Sequence, residues 1–155
     1  AAPVAERLAT QPVAYAQSHM NDPLGAVVAH SVIQVIRDEG LIERGRQMAV
    51  MLADGLAGIR ARSGRIADLR WRGPMMALEL HDDQRASRTT RTHRSLVECG
   101  YILAQRPGLN VLRLDPCLTI EQDDLEGFLD VLAGILAKGE LKKQGVCHPR
   151  ACGDP

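Results

Sequence analysis

Few residues in this chain are of a type and in a setting that could do chemistry. Arg113 stands in Asn110-Val111-Leu112-Arg113-Leu114-Asp115-Pro116, a short apolar stretch that ends at a proline. A planar guanidinium fork can grip an oxyanion through two parallel hydrogen bonds, but a lone arginine on a short strand most often stays solvated or ion-paired. Ser18 offers a hydroxyl just ahead of Asn21-Asp22-Pro23, where by itself it would serve to cap a turn. His19 beside it reads as an ordinary loop histidine. Against these stands an absence. The lysines are Lys138, Lys142 and Lys143, all after the last periodic segment, so no earlier amine is available for imine chemistry. No residue is assigned a catalytic role.

Other candidates have plainer readings. Arg70-Trp71-Arg72 could stack on a nucleic-acid base, but a surface strand edge with a cation–π contact explains it as well. Nineteen cationic residues balance 19 acidic ones, so nothing steers the chain to nucleic acid or an anionic membrane. Of the four cysteines, Cys99 and Cys117 are expected in the core, while Cys147 and Cys152 lie near the end; reduced thiols are the expectation. His30, His81, His93 and His148 lack ligand spacing, and no metal site is expected. Met20, Met48, Met51, Met75 and Met76 read as core filler. No apolar run approaches the roughly 20 residues that span a bilayer. Ala1 to Thr10 lacks the apolar core of a secretory signal, so a cytoplasmic location is expected.

The elements that must position these residues follow from period and punctuation. Asp22 and Pro23 predict a helix start, with Val27, Val28, Val32, Val35 and Ile36 along it and Gly40 at its end. A second helix starts at Leu41 with Leu41, Ile42, Met48, Ala49, Leu52, Leu56 and Ile59 on one stripe, and stops at Ser63-Gly64. Strands are expected over 66–72 and 75–81, joined at Gly73-Pro74, and a third helix over 85–98. Two more strands, 101–104 and 111–114, flank a Pro107-Gly108 turn. Thr119 and Gln122 have the spacing of a capping box before a last helix with Leu125, Phe128, Leu129, Leu132, Ile135 and Leu136 on its stripe. This order predicts an α+β layer, an antiparallel sheet with helices on one face. The predicted organisation is a lead-in over 1–22, one domain over 23–138, and a disordered tail over 139–155.

Four phrases in order carry a resemblance. Ser18-His19-Met20-Asn21-Asp22-Pro23-Leu24, Ile36-Arg37-Asp38-Glu39-Gly40-Leu41-Ile42-Glu43-Arg44, Leu69 to Leu80 and Asn110 to Ile120 resemble the carboxy-terminal region of class III (subgroup II) pyridoxal-phosphate-dependent aminotransferases. The resemblance runs from about Tyr15 to Ala137. It implies the small carboxy-terminal domain of fold-type I pyridoxal phosphate enzymes plus the long helix leading into it. It implies a homodimer acting on amino acids or amines and 2-oxo acids. At Ser18 it implies a cofactor-phosphate contact across the dimer, and at Arg113 a contact with the substrate carboxylate. Met20-Asn21, Asp22 and Cys117 depart from the family pattern, and the family's Schiff-base lysine precedes the matched region. The resemblance therefore implies a carboxy-terminal fragment, inactive alone; a non-catalytic α+β interaction module or a gene remnant is the alternative.

Overall fold

The computed structural model describes residues 6–7, 9–10, 23–81 and 87–138. Ser18, Met20, the predicted cap Asp22 and the stretch 139–155 lie outside the described residues. The chain divides after Asp38 into two compact units. In the first, helix α1 spans Pro23–Asp38. Proline suits its first position because that N–H has no intrahelical partner anyway. The Ser31 hydroxyl donates to the Val27 carbonyl at 3.0 Å, the usual back-bond of a serine inside a helix. None of its residues is buried, and Leu24, Val27, Val28 and Val32 are exposed.

The second unit begins with helix α2, Leu41–Ser63. Gly40 precedes it with φ 62° and Gly64 follows it with φ 60°, left-handed positions that favour glycine. Most of its predicted stripe is buried: Leu41, Met48, Ala49, Leu52, Leu56 and Ile59 face inward. Ile42, expected on the same stripe, is exposed instead, because it follows Leu41 by one residue and so turns about 100° away from it. Strands β1, Ile66–Arg72, and β2, Met75–Leu80, form an antiparallel hairpin in which Arg72 pairs with Met75. Gly73, at φ 59°, takes the first central position of the turn, as a II′ hairpin requires.

Helix α3, Ser87–Glu98, ends in a Schellman motif. Tyr101 N–H donates to the Leu96 carbonyl and Gly100 N–H to the Val97 carbonyl, both at 2.9 Å, with Gly100 at φ 88°. Strand β3 is only Ala104–Gln105, and β4 is Val111–Leu114. The longer strand expected over 101–104 is thus corrected: the first of those residues are spent on closing α3, and pairing begins only at Ala104. The sheet order is β1-β2-β4-β3, antiparallel throughout.

Helix α4 spans Gln122–Lys138. The capping box expected at its start does not form. The Thr119 hydroxyl turns to the Cys117 sulfur at 3.7 Å, and Gln122, the first helical residue, donates to Glu126 at 2.7 Å. Arg44 of α2 holds this segment instead, donating through Nη2 to the Ile120 carbonyl at 2.7 Å with Glu121 at 3.5 Å.

One core joins these elements. Met76, Leu78 and Leu80 of β2, with Leu112 and Leu114 of β4, meet Leu52 and Leu56 of α2 and Leu132 of α4. Burying each such leucine contributes about 1.5–3 kcal/mol. Helices α2 and α4 approach closely at Gly55, where a Cβ would stand 2.5 Å from Leu129 Cδ1, so the glycine exists to let the helices meet. The expected α+β architecture is the observed one. Cys117 is free and exposed rather than core, because it follows the strand after Pro116; Cys99 is buried, as expected. Met48 and Met76 fill the core as expected, whereas Met75 lies half exposed beside the turn. Among the described residues no helix is long and apolar enough to cross a membrane.

Candidate functional site

Strand alternation divides the sheet into two faces. Met76, Leu78, Leu112 and Leu114 point into the core, so Ala77, Glu79, Val111 and Arg113 point the other way. The pairing register then sets a row across that outer face: Arg70 opposite Ala77, Ala77 opposite Arg113, and Arg113 opposite Ala104. Arg113 therefore stands between two alanines, whose side chains end at a methyl group and crowd it on neither side.

The two arginines of the row are occupied differently. Arg70 Nη1 bonds both Asp68 and Glu79 at 2.9 Å or less. Its hydrogen bond is the main cause that holds the Asp68 carboxyl below its usual range, while Glu79 first and Asp68 second raise the arginine. The Arg70 side chain is thus ion-paired within the sheet, rather than presented with Trp71 to a nucleic acid. Trp71, 55% exposed, lies on the edge strand as expected. Among the described residues Arg113 has one carboxylate, Asp115, whose Oδ2 accepts from Nε at 2.6 Å. Asp115 was not legible as a partner from type alone, but its i,i+2 spacing on a strand was the available signal, since alternate residues share a face.

Asp115, but not Arg113, also lines a cavity of about 210 Å³ together with Leu52, Tyr101, Leu103, Ile120 and Phe128 among others. Tyr101 is launched into it by the Schellman turn and packs edge-on against Phe128, with ring centroids 5.6 Å apart. Its hydroxyl lies where α4 has Gly127, 2.7 Å from the position a Cβ would take. Burial, then the charges of Asp124 and Asp130, raise the Tyr101 pKa. A group held neutral in the fold stabilises it fully below the unfolded tyrosine pKa of about 10 and loses that contribution as pH rises through the folded value. Alkaline melts are therefore expected to fall more steeply above about pH 10 for the parent chain than for Tyr101→Phe. Equal slopes would remove Tyr101 as the cause.

Ser18 lies outside the described residues, so its relation to Arg113 is not part of this geometry. Among the described residues no group of His, Cys, Asp or Glu could hold a metal ion. Nor do these residues by themselves fit pyridoxal phosphate: the core from 23 to 137 contains no lysine to bind its aldehyde. What the outer face offers is an accessible arginine for an anion.

The comparisons with known proteins agree with this architecture. The 4-aminobutyrate aminotransferase of Mycobacterium tuberculosis is 35% identical over 125 residues, 75% of this chain and 27% of that protein. The ornithine aminotransferase of Bordetella pertussis is 30% identical over 127 residues, 82% of this chain and 29% of that protein. The chain thus spans under a third of the length of these curated relatives. A solved transaminase from the marine bacterium Virgibacillus superposes with a TM-score of 0.79 at 24% identity, over 88% of this chain and 34% of that one, a likeness of fold. The family Aminotransferase class-III matches residues 2–136, and the chain belongs to the class III aminotransferases.

Proposed function

We propose that this chain is the carboxy-terminal part of a pyridoxal-phosphate-dependent aminotransferase that moves an amino group between an amino acid or amine and a 2-oxo acid. In this reading the enzyme is a cytoplasmic homodimer. Ser18 contacts the cofactor phosphate, and Arg113 grips a substrate carboxylate. The observation that carries it is the exposed guanidinium of Arg113, flanked in register by Ala77 and Ala104 on the coreless face of the sheet. A charged fork on an open platform has the geometry for bidentate carboxylate binding. The chain alone lacks the amine that forms the cofactor imine, so it is inactive by itself.

The test has two arms. The isolated chain, given pyridoxal phosphate, 4-aminobutyrate or ornithine, and 2-oxoglutarate, is expected to show no turnover above that of the free cofactor. Residues Tyr15 to Ala137, exchanged for the corresponding region of the M. tuberculosis 4-aminobutyrate aminotransferase, are expected to give an active dimer. A folded, dimeric chimera with no transamination would sink the proposal.

A further inference from the structure

We propose that Asp115 tunes the carboxylate specificity of Arg113 by competing for the Nε side of the guanidinium, which favours approach of a carboxylate end-on at the Nη1/Nη2 edge. The inference rests on the reading of Arg113 as a carboxylate-binding residue and adds a second residue to it.

Strand geometry makes the pairing. Arg113 is on the outer face of β4, and Asp115 stands two residues on, just past the strand's end, while Leu112 and Leu114 are buried and fix the backbone of the strand. The strand ends at Leu114, and Pro116, with its φ fixed by the ring, follows directly on Asp115. The result is the 2.6 Å bond from Nε to Oδ2. Ala77 and Ala104 reach no farther than a methyl group on either side. Among the described residues Asp115 is the one hydrogen-bond partner of this guanidinium. Arg70, in the same row, carries two carboxylates on Nη1 and has no comparable role.

Two consequences follow for a ligand. A carboxylate that bonds an arginine side-on uses Nε and one Nη, and here Nε is taken. One that approaches end-on uses both Nη groups and meets a guanidinium whose charge is already partly offset. Arg113 and Asp115 side chains are 59% and 40% exposed, so solvent screens the pair and its hold is weak. Asp115 is therefore a competitor that an anion can displace, and not a permanent block. It lowers affinity for carboxylates and filters their direction of approach.

The test uses the ¹⁵N-labelled 155-residue chain. Glutarate is titrated while the Nε–H resonance of Arg113 is followed, and glutaramide serves as the neutral control. Asp115→Asn, with Asp115→Ser as a second variant, is expected to bind glutarate about three- to fivefold more tightly than the parent chain, the scale of an exposed ion pair. The Nε–H resonance should respond to glutarate more strongly in the variants, and glutaramide should be unaffected throughout. Equal glutarate affinities in parent and variants, with binding abolished by Arg113→Met, would overturn the Asp115 role and leave the Arg113 reading standing. Glutarate binding to Asp115→Asn that survives an added Arg113→Met would overturn both. So would an Asp115→Asn chain, folded by circular dichroism, that does not bind glutarate.

Discussion

Arg113→Met, placed in an active chimera of Tyr15 to Ala137 with the M. tuberculosis relative, is expected to raise the KM for 2-oxoglutarate by about 10- to 100-fold. The estimate comes from one charge-assisted hydrogen-bonding contact worth about 1.5–3 kcal/mol, with each 1.4 kcal/mol equal to a factor of ten. Methionine keeps the apolar stem of the side chain and removes the fork, so packing on the sheet changes little. The residue is exposed on its face, which separates the change from the core beneath. The loss should appear in KM for the carboxylate-bearing partner, while kcat at saturation changes far less. That is the signature of a binding contact shared by ground and transition states. An unchanged KM in an otherwise active chimera would take Arg113 out of substrate recognition.

Leu112→Ala is expected to cost about 3 kcal/mol of folding stability, within the range for removing a buried leucine side chain. Leu112 is completely buried on β4 and pairs in register with Leu78 of β2, itself completely buried. Leu112 belongs to a core drawn from several elements, which cannot all close over the gap, so a cavity remains. Domains of this size are stable by only about 5–15 kcal/mol, and a loss on that scale lowers the melting temperature by roughly 10 °C. Ile102→Ala provides the contrast. Ile102 is 90% exposed, and its truncation should stay within about 0.5 kcal/mol of the parent. A denaturant series on both variants checks the pair; a Leu112→Ala cost below about 1 kcal/mol would contradict the tight packing assigned to the centre of the sheet.

Much of the fold was legible because it is locally encoded. The α2 stripe from Leu41 to Ile59 repeats at helical spacing, and glycine marks both ends of the helix. The Gly73-Pro74 turn closes β1 on β2 where the sequence placed it. Local rules misled where two of them competed for one segment. Residues 101–104 have strand-like composition, but Gly100 commits the first of them to capping α3. Thr119 has the spacing of a helix cap, yet Arg44, distant in sequence, satisfies the carbonyls of 119 and 120 and fixes how the chain enters α4.

The candidate site divides in the same way. By itself the sequence determined that no lysine precedes Lys138 and that the chain resembles a class III aminotransferase, and only through that resemblance did it offer Arg113 for a carboxylate, because residue types, order and periodicity are properties of the linear sequence. Only the tertiary structure decided that Arg113 lies between Ala77 and Ala104, that Asp115 rather than Glu79 bonds it, and that Gly55 admits Leu129 between two helices. Those facts depend on strand register and helix approach. Both are set when the whole hydrophobic core is buried at once, since a one-residue slip would turn Arg113 inward and Leu112 out.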